Sequence, residues 1–121
     1  SKFAWAELLR LQDRRADAVK LYKELASDVR TKEGSAAAYY VLEDVFAGGD
    51  MDKAEKAIFA YSEREPQAYW LAKAFILLGD VYVRKGDNFQ ARATYQSVAD
   101  GYSPADDGIV AEAKERIAKL N

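Results

Sequence analysis

Cysteine and histidine are both absent from the 121 residues of this chain. The first absence excludes disulfides, thiolate nucleophiles and thiolate metal sites. The second removes the commonest general base and the commonest transition-metal ligand. Proline occurs twice and glycine seven times, so few positions interrupt regular backbone. No apolar run is long enough to span a bilayer: the longest candidate, Ala68 to Leu78, is broken by Lys73. Direct membrane insertion is therefore not expected. Nor is there an excess of positive charge, since 18 basic residues face 20 acidic ones for a formal charge of −2. The doublet Arg14-Arg15 is flanked by Asp13 and Asp17, and nothing points to nucleic acid as a partner.

What is present favours helix. Half of the residues are apolar and 31% are charged, with alanine, leucine, glutamate and lysine abundant. The length suits one domain spanning residues 1–121. Its opening, Ser1-Lys2-Phe3, reads as a piece cut from a longer protein. Periodicity and punctuation predict helices at 2–13, 16–31, 34–47, 51–64, 66–85, 88–102 and 106–119. The fold class expected is all-α.

The chain also repeats itself. Gly49-Asp50 with Lys53-Ala54 matches Gly86-Asp87 with Gln90-Ala91 at an offset of 37 residues, and Pro66 and Pro104 lie 38 apart. A weaker copy sets Ala18 opposite Ala54, 36 residues on. The last copy reads Phe75-x2-Leu78-Gly79-x2-Tyr82, then Ala91-x3-Tyr95, then Pro104. The middle one reads Ala38-x2-Val41-Leu42-x2-Val45, then Ala54-x3-Ile58, then Pro66; the first keeps Trp5-Ala6-x2-Leu9 and Ala18-x3-Tyr22. Small residues at Ala6, Gly79, Ala54 and Ala91 suit close helix approach, and Phe75, Leu78, Tyr82 and Tyr95 suit the space between helix pairs. Gly48-Gly49-Asp50 and Lys85-Gly86-Asp87-Asn88 supply a stop and a following N-cap. Pro66 fits the first turn of the next helix.

These residues resemble the tetratricopeptide repeat (TPR) signature, whose period is about 34 residues. The likeness covers nearly the whole chain and is strongest over 72–104. It implies antiparallel helix pairs stacked as a right-handed solenoid, with units near 1–34, 35–66 and 67–104 and a capping helix over 105–121. In that cap Ile109, Ala113, Ile117 and Leu120 should face inward, with Glu112, Lys114, Glu115 and Lys119 elsewhere. The stretches 69–80 and 85–91 are similar to C-terminal repeats of long TPR proteins from Bacteroidetes-type bacteria, many predicted to lie in the cell envelope. The Tyr69-Trp70-Leu71 entry also resembles the TPR tails of periplasmic envelope-coordination proteins. A periplasmic or envelope-associated setting follows from that likeness, with the cytoplasm as the alternative.

The resemblance further implies a concave groove lined by the first helix of each pair. Its positions fall on Ala36, Tyr39, Glu43 and Phe46, and on Lys73, Ile76, Asp80, Val83 and Arg84. Tyr39, Phe46, Lys73 and Arg84 make a contact set of aromatic platforms beside two cations, suited to a carboxylate or acidic peptide segment. The plainer reading is that the aromatics pack internally and the cations are solvated. The carboxylate clamp of chaperone-binding TPRs is not expected: Lys73 matches its lysine, but Leu77 stands where an arginine should. Tyr69 and Trp70 are expected to pack, on Ile58 and Tyr61, rather than to form an exposed hot spot.

Catalytic readings fare worse. Glu63 and Glu65 point apart, no serine stands in a nucleophile elbow, and Gly48-Gly49 is too short for a phosphate loop. Asp100, Asp106 and Asp107 lack calcium-loop spacing, and N-capping of the last helix explains the latter two. The sequence reads as a non-enzymatic scaffold without cofactor or metal, binding a protein or peptide in the groove. Its alternative is a structural segment of a longer solenoid, or self-association through the N-terminal face, where Phe3, Trp5 and Leu9 are apolar.

Overall fold

The computed structural model describes residues 1–121 and is all-α, with seven helices and no strand. They are α1 (Lys2–Leu11), α2 (Arg15–Leu25), α3 (Lys32–Ala47), α4 (Met51–Glu63), α5 (Ala68–Arg84), α6 (Asn88–Gly101) and α7 (Ile109–Ala118). No helix is long and apolar enough to cross a membrane.

Short connections fold each helix back on the one before it. At α1–α2 the start of one helix meets the end of the other, where Lys2 pairs with Glu24 at 3.2 Å. At α4–α5 the start of the earlier helix again meets the end of the later one, and Lys85 bonds to Asp52 and Glu55 at 2.6 and 3.0 Å. Successive helices pack in chain order, and α3–α5 and α5–α7 also touch. The odd-numbered helices from α3 onward therefore share a layer.

The punctuation lies where expected. Gly49 and Gly86 adopt the left-handed conformation at φ +92 and +79, which glycine tolerates without steric cost. Asp50 and Asp87 then cap α4 and α6, accepting from the N–H groups of Lys53 and Gln90 at 3.1 and 3.0 Å.

Several boundaries differ from expectation: α1 ends at Leu11, not 13, α3 begins at Lys32, not 34, and three further shifts have a visible cause. Helix α2 stops at Leu25, not near 31, because the chain leaves the helix to bury Val29. The Val29 carbonyl accepts from the buried Ser35 hydroxyl. That same Ser35 oxygen accepts from Gln67 N–H at 2.9 Å, and the Tyr61 hydroxyl donates to the Ser35 carbonyl at 2.7 Å. The bond to Gln67 holds the backbone extended, so α5 begins at Ala68, and Pro66 lies buried ahead of it rather than in its first turn. Helix α7 begins at Ile109, not 106. Gly108, at φ +93, occupies the cap position, while Asp107 reaches past it to accept from Ile109 N–H at 3.2 Å.

The core falls into three clusters along the stack. The largest joins α3, α4 and α5 through Tyr39, Leu42, Ala54, Ile58, Ala74, Leu77, Leu78 and Val81. A second joins α5, α6 and α7 around Ile76, Tyr95 and Ile109; the third joins α1, α2 and α3 around Leu9 and Tyr22. Fully burying a side chain such as Ile58 contributes about 1.5–3 kcal/mol. The close approach foreseen at Gly79 is real: a Cβ there would lie 2.2 Å from Tyr95 Cε1.

Candidate functional site

The 36- and 37-residue offsets place Glu7, Glu43 and Asp80 at one equivalent position on α1, α3 and α5. Each carboxylate accepts from a tyrosine. The Tyr22 hydroxyl donates to Glu7, and the Tyr95 hydroxyl donates to Asp80. In the middle copy Ile58 replaces that tyrosine, so Glu43 takes the Tyr39 hydroxyl of its own helix at 2.9 Å. An arginine completes the outer two sites. Arg10 bonds Glu7 at 3.1 Å, and Arg116 of α7 bonds Asp80 at 3.0 Å.

These phenols are held neutral. Burial, then the Glu43 charge and hydrogen bond, pushes Tyr39 far above the usual phenol range. Burial and the hydrogen bond to Asp80 do the same to Tyr95. Burial and a bond to Glu55 push Tyr82 up to about 12. A tyrosine so shifted holds its proton at physiological pH and serves as a hydrogen-bond donor, not as a base or nucleophile.

An aromatic ladder crosses the layer. Ring centroids step from Phe3 to Tyr22 (6.1 Å), Tyr22 to Tyr40 (5.0 Å), Tyr40 to Trp70 (5.6 Å) and Trp70 to Tyr69 (4.9 Å). Tyr39 also meets Trp70 at 5.6 Å. Trp70 and Tyr69 thus pack, as expected: Trp70 lies against the core cluster that contains Ile58 and Tyr61, and it also meets the rings of Tyr39 and Tyr40 of α3. The Arg10 guanidinium covers the Tyr40 ring at 4.3 Å.

The structure sorts the expected groove residues into three groups. Ala36, Tyr39 and Ile76 are buried, at 2%, 5% and 2% exposure, and belong to the core rather than to a contact surface. Glu43, Lys73 and Asp80 are half-buried and already partnered. Lys73 lies 5.8 Å from the Tyr39 ring, yet its ammonium reaches Glu112 at 3.4 Å. Glu112 and Arg116 were expected away from the core or went unnoticed; both turn inward from α7 and neutralise Lys73 and Asp80. Carrying the repeat one step further reveals them, since Ile76 and Asp80 plus 36 residues give Glu112 and Arg116.

Phe46, Val83 and Arg84 remain available. With Asp80, Tyr95, Arg116, Lys119 and Leu120 they line a cleft of about 440 Å³ where the C-terminal ends of α3, α5 and α7 converge. Phe46 and Leu120 are half-buried, and Val83 is 39% exposed, giving an apolar floor. Of the three cations, Arg116 is bound to Asp80 and Glu112, and Lys119 meets Glu115 at 3.1 Å on the open surface. Arg84 has no carboxylate partner, and its guanidinium lies 5.5 Å from the Phe46 ring. Lys119 and Leu120 were missed as groove residues, although they too fall 36 residues after Val83 and Arg84.

No three acidic side chains converge on a point where a metal ion would sit. Comparison with known protein families, with characterised proteins and with solved structures gives no match.

Proposed function

We propose that this chain is a TPR-type helical-repeat scaffold, a right-handed solenoid of three helix pairs closed by α7, that binds a peptide without catalysis. Its binding site is the cleft among Phe46, Val83, Arg84, Lys119 and Leu120, and the peptide carries a carboxylate beside an apolar side chain. The observation that carries this reading is Arg84: a cation without an acidic partner, held over an aromatic ring at the mouth of an apolar cleft. Such a guanidinium keeps its donors free for a bidentate carboxylate, while Phe46, Val83 and Leu120 receive the neighbouring apolar group. The repeat offsets, the antiparallel pairs and the Gly79–Tyr95 approach support the TPR assignment. The neutral tyrosines, together with the lack of histidine and cysteine, support a binding role.

The test is selection of displayed random peptides on the purified chain, followed by calorimetry. Enriched peptides should carry Asp or Glu next to an aromatic or aliphatic residue and bind more weakly as salt rises. Phe46→Ala and Arg84→Glu should each weaken binding about tenfold or more, with helicity unchanged. If no peptide is enriched, or enriched peptides bind both variants like the parent, the cleft is not the site.

A further inference from the structure

One apolar strip of α1 has no partner within the chain. Trp5, Leu8 and Leu11 are 54%, 43% and 75% exposed, and Ala4 is exposed beside them. They form one strip, because residues three and four apart share a helix face. The repeat identifies what this strip is. Trp5 is equivalent to Val41 of α3 and Leu78 of α5, Ala4 to Tyr40 and Leu77, and Leu8 to Asp44 and Val81.

In both later copies that face is covered by the helix that precedes it. Leu77, Leu78 and Val81 are 6%, 2% and 0% exposed and pack with Ala54, Ile58 and Tyr61 of α4. Tyr40 and Val41 pack with Ala18, Leu21, Tyr22 and Leu25 of α2. The covering helix has the same build each time: a small residue, then an aliphatic or tyrosine four and seven positions later, as Ala54-x3-Ile58-x2-Tyr61 and Ala18-x3-Tyr22-x2-Leu25. The strip on α1 is thus the next contact in a series that the fold already makes twice.

We infer that the Trp5–Leu8–Leu11 face of α1 is a docking surface for one amphipathic helix built like α2 and α4, lying antiparallel to α1. The helix places its small residue where the backbones approach and its aliphatic and tyrosine side chains over Trp5 and Leu8. This surface lies at the opposite end of the stack from the Phe46–Arg84 cleft and does not depend on it. A second copy of the chain is the poorer occupant: α1 antiparallel to α1 would set Leu8 against Leu8 and Trp5 against Leu11, bulky groups at the centre of the contact, with the one small residue, Ala4, at the end of the strip.

The test grafts a copy of Asp50–Lys73, which is α4, its connection and the first turns of the following helix, directly ahead of Ser1, the equivalent of Ala74. Trp70→Phe in both the chain and the grafted copy leaves Trp5 as the sole indole. The graft should shift Trp5 emission to the blue and cut its quenching by acrylamide several-fold. Leu8→Glu in α1, or Ile58→Asp with Tyr61→Asp in the grafted copy, should restore both to the values of the ungrafted chain. The ungrafted chain should sediment as a monomer with Trp5 accessible at every concentration. The inference is overturned if Trp5 stays equally quenchable with the graft in place. It is also overturned if shielding survives those substitutions, or if the ungrafted chain dimerises and shields Trp5 by itself.

Discussion

At the scale of single residues, this structure is held by contacts that tolerate little change in volume or polarity. Gly79 is the sharpest case. Alanine is the better helix former by about 1 kcal/mol, which would favour the substitution on an open surface. Here the added Cβ would lie 2.2 Å from the ring of Tyr95, and that ring is buried and tied to Asp80. Overpacking of this kind costs about 1–3 kcal/mol and outweighs the propensity gain. Gly79→Ala should therefore destabilise the chain, as read from chemical denaturation. In a Tyr95→Val background, where the ring is gone, the same change should become neutral or stabilising. Equal effects in the two backgrounds would show that the ring is not what limits this position. Asp80 gives a second case. Tyr95→Phe removes its hydroxyl donor while the two hydrogen bonds from Arg116 hold the carboxylate in place. The expected loss is about 0.5–1.5 kcal/mol in the same assay. Gly79, Ala91 and Tyr95 were legible in the sequence because they are size constraints, and size is carried by residue type. Ser35 was not legible. Its role as the knot joining Val29, Tyr61 and Gln67 depends on three segments arriving together, and no local pattern records that.

Helix existence and order could be read from periodicity and from the glycine–aspartate punctuation. Among the ends that moved, those at Leu25 and Ala68 are set by tertiary contacts. Helix α7 is the instructive element. Its apolar residues Ile109 and Ala113 are buried as the pattern predicted, but the charges between them are not all directed to solvent. Helix α7 shares a layer with α5, and Glu112 and Arg116 therefore meet Lys73 and Asp80. Amphipathicity separates apolar from polar faces; it does not say which polar residues lie at the seam. The seam between α4 and α5 shows a related arrangement with a pH signature. Lys85 lies between Asp52 and Glu55, and its hydrogen bonds hold both carboxyls below their usual range. The same bonds raise the lysine. A depressed carboxyl contributes stability above its unfolded pKa of about 4 and loses it as pH falls through the folded value. A raised lysine contributes below about pH 10 and loses its share only above that. Lys85→Met should consequently lower the thermal midpoint by a constant amount between about pH 5 and pH 9. The gap from the parent should close as pH is taken towards about 3. A gap that persists in acid would mean that the ion pairs to Asp52 and Glu55 are not what the substitution removes.

Across the whole molecule, the stack has a gradient of support. Helix α5 is contacted by α3, α4, α6 and α7, whereas α1 packs chiefly on α2 and leaves Trp5, Leu8 and Leu11 open. The buried clusters follow the same order: eleven residues in the centre, seven towards α7, and five at the α1–α2 end. In a stack where each unit contacts only its neighbours, stability is a sum of local terms and can be lost from one end. The α1–α2 pair should then open on its own before the centre unfolds. Native-state hydrogen exchange in low denaturant should show this directly. Amides of α1 and α2 should exchange through a sub-global opening of lower free energy, and those of α5 only with global unfolding. Leu9→Ala, at a fully buried site of the small cluster, should accelerate exchange in α1 and α2 and leave α5 unchanged in rank. Exchange of α1 and α5 at one common free energy would instead mean that the aromatic ladder from Phe3 to Trp70 couples the ends tightly enough for the chain to unfold as a single unit.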